Sequence, residues 1–286
     1  MDGLMEFNRL PEGCISTILS FTSPQDACRS SLVSTTFQSA AESDVTWQKF
    51  LPPDSADIIS QSVTPLKFSS KRQLFHLLCN PVLIDGGRKS FKIEKSFGKM
   101  SYVLSARDLS ITWSSEPSYW TWSSLPESRF SDVAILRTMS WLEIQGKINT
   151  KMLSPNTTYG AYLILKIIDR AYGLDLMPSE ISVEVGGNMV SSGTAYLRTL
   201  GHQDSKKQQM ESLFYANRMQ MLKSRVVEGD GRVARERQDG WLEIKVGEFF
   251  AGEVEEEVKM SLMEVKGQHL KGGLIIEGIE VRPKVQ

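Results

Sequence analysis

Three of the six tryptophans in this 286-residue sequence, Trp113, Trp120 and Trp122, fall within ten residues, interleaved with Ser, Thr, Glu and one Pro. An indole face stacks on the apolar C–H face of a sugar ring, while nearby carboxylates and amides take the sugar hydroxyls as hydrogen-bond donors. Set among small polar residues, these indoles point to a partly exposed site for a carbohydrate. The same exposed cluster also makes a good protein hot spot. A competing reading makes them large core or rim side chains. Trp141 and Trp241 each begin an alternating Trp-Leu-Glu-Ile segment and are expected in the core.

Catalytic signatures come up short. Gly267 to Gly272 has the spacing of a phosphate-binding loop, but Gly273 and Leu274 stand where Lys and Ser/Thr are needed. There is no Gly-x-Ser-x-Gly elbow, and His76, His202 and His269 are too far apart in sequence to mark a metal site. Asn156-Thr157-Thr158 has the form of a glycosylation sequon. The expectation is a binding protein with no enzyme activity, cofactor or metal.

The elements that position these residues change character along the chain. Leu10-Pro11 opens a helical stretch in which Ile15, Ile18 and Leu19 recur at helical spacing. Ser23-Pro24-Gln25-Asp26 has the form of a helix start, with Ser23 as cap. Asp44 is expected to cap a further turn carrying Trp47 and Phe50, and a last helix is expected around Lys71 to Cys79. After Asp85-Gly86-Gly87 the pattern becomes alternating, with turn signals between short runs. Ala161 to Ile168, nearly all apolar, suits a strand buried on both faces, and the polar stretch from Gly201 to Gln238 reads as a long loop. The fold class is therefore α+β in two domains, a small three-helix module and an antiparallel β-sandwich of jelly-roll-like form. The boundaries read as 1–50 for the helical module, 51–88 for a helical linker and 89–286 for the sandwich.

Composition narrows the setting. With 33 Lys+Arg against 34 Asp+Glu, the chain lacks the basic footprint of a general nucleic-acid binder. No apolar run is long enough for a membrane span, and the acidic N-terminus lacks a signal-peptide pattern. Cys14, Cys28 and Cys79 all precede the strand-rich part and have no disulfide or zinc spacing, which places the protein in a reducing compartment.

Two resemblances sharpen these expectations. Leu10-Pro11, Ile15, Ile18-Leu19, Phe21, Ser23-Pro24, Asp26-Ala27, Val33-Ser34, Phe37 and Trp47 resemble an F-box. That resemblance implies a partner, the Skp-type adaptor of a cullin-based (SCF) ubiquitin ligase, and carries adaptor binding onto Leu10, Pro11, Ile15, Leu19, Val33 and Trp47. A module of about 45 residues also buries too little surface by itself, so its apolar side chains have reason to seek a partner. From Lys89 to Lys284, Arg107-Asp108-Leu109-Ser110-Ile111-Thr112-Trp113, Trp141-Leu142-Glu143-Ile144, Asp239-Gly240-Trp241-Leu242-Glu243-Ile244, Gly247-Glu248-Phe249-Phe250 and the run from Gly272 to Gly278 look like the phloem lectin domain (phloem protein 2, Nictaba-like).

The lectin resemblance implies binding of chitin-type oligosaccharides or N-glycan cores through two tryptophans seven residues apart and two glutamates seven residues apart. The matching positions are Trp113 and Trp120, then Glu257 and Glu264. An odd separation puts the two glutamates on opposite faces of a regular strand, so Glu257 is expected at a strand start that frees it. Paired carboxylates beside aromatics also describe a glycosidase cleft, a reading that the separation of the two glutamates discriminates. Where a family member carries a Lys-rich nuclear-import run, this sequence has only Lys206-Lys207. The combined expectation is the substrate-recognition subunit of an SCF ligase, cytoplasmic and/or nuclear, that selects a glycan or glycoprotein. The alternative is the same adaptor role with a protein target and no sugar.

Overall fold

Four serines start helices in the computed structural model, which describes residues 10–197 and 231–284. The chain divides into two units between Tyr102 and Val103. In the first, α1 (Glu12–Leu19) follows Pro11, and α2 (Pro24–Ser30) begins where Ser23 Oγ accepts the Asp26 N–H at 3.0 Å. That bond satisfies one of the free N–H groups of the first turn. Ser34 caps α3 (Thr35–Glu42), and Ser43 caps α4 (Asp44–Gln48). Asp44 is therefore not the cap expected of it, and its carboxylate accepts the Lys71 N–H at 2.8 Å instead. α5 (Ser55–Ser60) and α6 (Lys71–Leu78) complete the helices of this unit, the latter capped by Ser70.

Four helices, not three, thus lie between Glu12 and Gln48. The additional one, α3, is weakly apolar as a sequence and owes its place to packing. Its Ala40 and Ala41 are buried against Ile15 and Leu19 of α1, with Leu10 and Phe37 packed on the same cluster. Small residues at that crossing let the backbones approach. Trp47 then closes the module, donating from Nε1 to the Ala41 carbonyl at 2.6 Å and meeting the Phe75 ring at 5.1 Å. Cys14, Cys28 and Cys79 are all free thiols, and burial pushes the Cys79 thiol up to about 11. β1 (Val82–Ile84) and β2 (Lys89–Ile93) form an antiparallel hairpin within the first unit.

β3 (Met100–Ser105) crosses the division between the units. The second unit then holds β4 (Ser110–Ile111), β5 (Trp120–Ser123), β6 (Val133–Leu136), β7 (Leu142–Asn149), β8 (Thr157–Tyr172), β9 (Ser179–Val185), β10 (Asn188–Tyr196), β11 (Gly231–Val233), β12 (Arg235–Glu236), β13 (Leu242–Ala251), β14 (Glu257–Glu264) and β15 (Gly272–Pro283). One sheet runs β15, β8, β13, β12, with β6 also on β15 and β5 on β6. The other runs β11, β10, β9, β14, β7, β4. The pairings are antiparallel except β10 with β11, which run parallel. As the apolar run predicts, Tyr159, Gly160 and Ala161 and then Leu163 to Leu165 of β8 are buried, although Ile168 emerges into solvent.

The sheets pack closely at two glycines. A Cβ on Gly146 of β7 would stand 2.9 Å from Ile279 Cδ1 of β15, and one on Gly247 of β13 would stand 2.5 Å from Val183 Cγ2 of β9. Within the part read from sequence as the end of a loop, Gly231–Val233 and Arg235–Glu236 are strands. Residues 201–230 of that expected loop, with His202 and Lys206-Lys207, lie outside the described residues. Among the described residues no helix is long and apolar enough to cross a membrane, and no group of three His, Cys, Asp or Glu is arranged to hold a metal ion.

Candidate functional site

The three clustered indoles have different jobs. Trp120 of β5 is 2% exposed and donates from Nε1 to the carbonyl of Thr112 at 3.0 Å. Trp122 donates from Nε1 to the carbonyl of Ser114 at 2.9 Å, with the Arg107 guanidinium 3.7 Å above its ring. The two carbonyls flank Trp113, so two indoles clamp the backbone on either side of the third. Trp113 itself is 49% exposed and holds a positive φ of 54°, a conformation uncommon for a bulky residue. Its ring lies 5.2 Å from that of Tyr119, tilted by 32°. The clamp holds one aromatic face toward water.

Trp141 is the second exposed indole, at 45%, and this overturns its expected place in the core. It precedes β7, where Leu142 and Ile144 are buried and Glu143 and Gln145 are half-buried on the alternate face. Its position matches the polar side of the alternation. The edge strand β4 pairs with β7, Ser110 opposite Gln145 and Ile111 opposite Ile144. Past the strand end, the Thr112 N–H still donates to the Glu143 carbonyl at 3.1 Å, so the residue before Trp113 is tied to the start of β7.

Glu143 bonds to Trp141 and to Thr112, the residue before Trp113. Its carboxylate accepts Gln145 Nε2 at 2.5 Å and Trp141 Nε1 at 3.3 Å, with Thr112 Oγ1 at 3.5 Å. These are all uncharged donors, which leaves the carboxylate spare acceptor capacity next to Trp141 and the Thr112–Trp113 step. The backbone before Trp141 is held from behind by Lys271, which is fully buried. Lys271 exchanges backbone hydrogen bonds with Met139, donates from Nζ to the Ser140 carbonyl at 2.5 Å, and forms an ion pair with Glu264.

The two glutamates carried over from the lectin resemblance occupy the two ends of β14. Glu257 starts the strand, is exposed, and pairs with Lys147 at 2.9 Å. Glu264 ends it, is buried, and accepts the Gly267 N–H at 3.0 Å as well as facing Lys271. Seven steps of strand at roughly 3.3 Å each separate them by roughly 23 Å, well beyond either spacing used by paired glycosidase carboxylates. Of the four carried-over residues, only Trp113 is both exposed and adjacent in sequence to a residue bonded to Glu143. Trp120 and Glu264 stand behind that surface, where each helps hold the carbonyl immediately before an exposed indole. A signal for Trp141 existed in the sequence, since it shares strand parity with Glu143 and Gln145.

In the first unit, Ile15, Leu19 and Trp47 are buried core residues, Leu10 packs partly on that core, and Pro11 and Val33 are exposed. Other apolar side chains join the last two at the surface. Ile18 and Phe21 stand out at the end of α1, and Leu32 beside Val33 after α2, with Leu32 at 87% the most exposed. Ile18 and Phe21 fall within the F-box resemblance and Leu32 does not, but none of the three is among the positions that resemblance carries onto adaptor binding.

Comparison with known proteins fits both units. Residues 99–283 match the family model described as Phloem protein 2, and residues 7–52 match one described as F-box-like. F-box protein PP2-B15 of Arabidopsis thaliana is 54% identical over 281 residues, 96% of this chain and 96% of its own. F-box protein VBF of the same plant is 53% identical over 281 residues, 96% of this chain and 99% of its own. The chain belongs to the phloem protein 2 family, among its members that also carry an F-box.

Proposed function

We propose that this protein is the substrate-recognition subunit of an SCF-type ubiquitin ligase, with the Skp-type adaptor and cullin as partners of its first unit and a glycan or glycoprotein as the target of its second. The observation that carries the reading is the set of bare apolar side chains on the F-box-like helices, Ile18, Phe21, Leu32 and Val33. Large aliphatic and aromatic groups left in water at helix ends are stabilised by docking on a partner, at roughly 25 cal/mol per Å² removed from solvent. In the second unit, the two stacked sheets form a jelly-roll-like β-sandwich whose aromatic edge takes the sugar. The protein itself performs no bond chemistry. It supplies proximity, and the conjugating partner of the ligase transfers ubiquitin. Such work belongs in the cytoplasm or nucleus.

The test is a pull-down of the full chain with a purified Skp-type adaptor. Leu32→Asp combined with Phe21→Asp is expected to abolish capture while leaving the unfolding midpoint within a few degrees. Capture by the double variant equal to that by the unaltered chain overturns the adaptor assignment. Glycan selection is tested separately, as follows.

A further inference from the structure

Resting on the proposal that the second unit binds glycans, we infer that Trp141 and Glu143 are contact residues of that site, forming with Trp113 one platform at the β4–β7 edge. The four positions that the lectin resemblance carries over do not include either residue. Three observations point to this platform.

The first is display. Trp113 and Trp141 are about half exposed, while the carbonyl before each is fixed from inside, Thr112 by Trp120 and Ser140 by Lys271. An aromatic face held rigid in water before a ligand arrives loses little side-chain freedom on binding. The second is chemistry. The Glu143 carboxylate, bonded to Trp141 and to the residue before Trp113, takes only uncharged donors, so it retains lone pairs for hydroxyl or acetamide N–H groups. Stacking faces that flank an acceptor fit a sugar, which presents an apolar ring face and a rim of donors. The third is exclusion. Glu257 is paired with Lys147 at the far end of β14, and Glu264 is buried against Lys271, so neither carboxylate lies at this surface. Glu143 does. Gln145, on the same strand face, extends the platform with an amide.

The experiment is isothermal calorimetry of the full chain with triacetylchitotriose and with a high-mannose glycopeptide, for the unaltered protein and for Trp141→Ala, Trp141→Tyr, Glu143→Gln, Trp113→Ala and Phe250→Ala. The inference expects Trp141→Ala and Glu143→Gln each to weaken the probe that binds by about tenfold or more, as Trp113→Ala does. Trp141→Tyr, which keeps an aromatic face, should recover part of that loss. Phe250→Ala removes an exposed ring from the other sheet and should change nothing. If the unaltered chain binds a probe and Trp141→Ala and Glu143→Gln bind it equally well, the platform is overturned and glycan binding stands. If neither probe binds the unaltered chain, the glycan reading fails, and the platform as a sugar site fails with it.

Discussion

Two strands of this molecule begin with the same four residues and put them to different use. Trp141-Leu142-Glu143-Ile144 enters β7, and Trp241-Leu242-Glu243-Ile244 enters β13. Trp241 is 1% exposed, donates from Nε1 to the Glu127 carbonyl at 3.2 Å, and has the Lys166 ammonium 4.7 Å from its ring. Trp141 stands in water. Glu243 is gripped by Arg237 at 2.6 Å and Arg282 at 2.7 Å, whereas Glu143 holds only neutral donors. Each strand has a long neighbour on one side, β8 for β13 and β14 for β7, and a two-residue edge strand on the other, β12 and β4. The motif sets parity and little else. Groups brought in from other segments, Glu127 and Lys166 on Trp241 and Arg237 and Arg282 on Glu243, decide whether an indole becomes core or surface and whether a carboxylate is spent on an arginine.

The largest expected effect that tests this contrast is Trp241→Ala, which should cost about 3–5 kcal/mol in denaturant unfolding, against about 0.5 kcal/mol or less for Trp141→Ala. Equal losses would erase the distinction between the two strands. Lys271→Met should cost a further large amount, about 3 kcal/mol or more, because it leaves the buried Glu264 carboxylate without its cation. Glu243→Gln is expected to lose about 1–3 kcal/mol by breaking charged hydrogen bonds to Arg237 and Arg282, whereas Glu143→Gln should leave the unfolding midpoint in place.

The smallest effect is in acid. Burial raises the Asp239 carboxyl, but Arg237, the Trp241 N–H and Arg129 outweigh it and hold the group below its ordinary value of 3.8. A carboxyl depressed on folding stabilises the protein above that ordinary value, and the contribution fades as pH falls through the folded value. Asp239→Asn should therefore flatten the fall in unfolding midpoint below about pH 4, read by thermal melts from pH 6 downward. An unchanged acid limb would remove Asp239 from the network that fixes the Trp241 turn.

Much of this organisation was legible in the residues. Ser23 followed by Pro24 and Asp26 marks its helix because capping is local chemistry. Helix α3 was not legible, since Thr35-Thr36-Phe37-Gln38-Ser39 offers no apolar stripe and its two alanines matter only once α1 lies against them. Ser43 displaced Asp44 as a cap for a similar reason, the aspartate being claimed by the distant Lys71 N–H. Of the clustered tryptophans, type and spacing pointed to exposed indoles but not to their division of labour, which depends on carbonyls eight residues upstream of each clamping indole. Glu264, carried over as a sugar contact, is buried instead, because its cation Lys271 joins it only when the turn after β14 folds back.

The clamp around Trp113 also has an optical consequence. Trp47, Trp120 and Trp241 are shielded from solvent, Trp122 is covered in part by Arg107, and Trp113 and Trp141 face water. The indoles thus fall into a blue-shifted buried group, a half-covered Trp122, and a red-shifted pair that an aqueous quencher such as acrylamide reaches most readily. One of that pair, Trp141, is bonded to Glu143. The loss of quenching in Trp113→Ala or Trp141→Ala therefore isolates the signal of each exposed indole without any label.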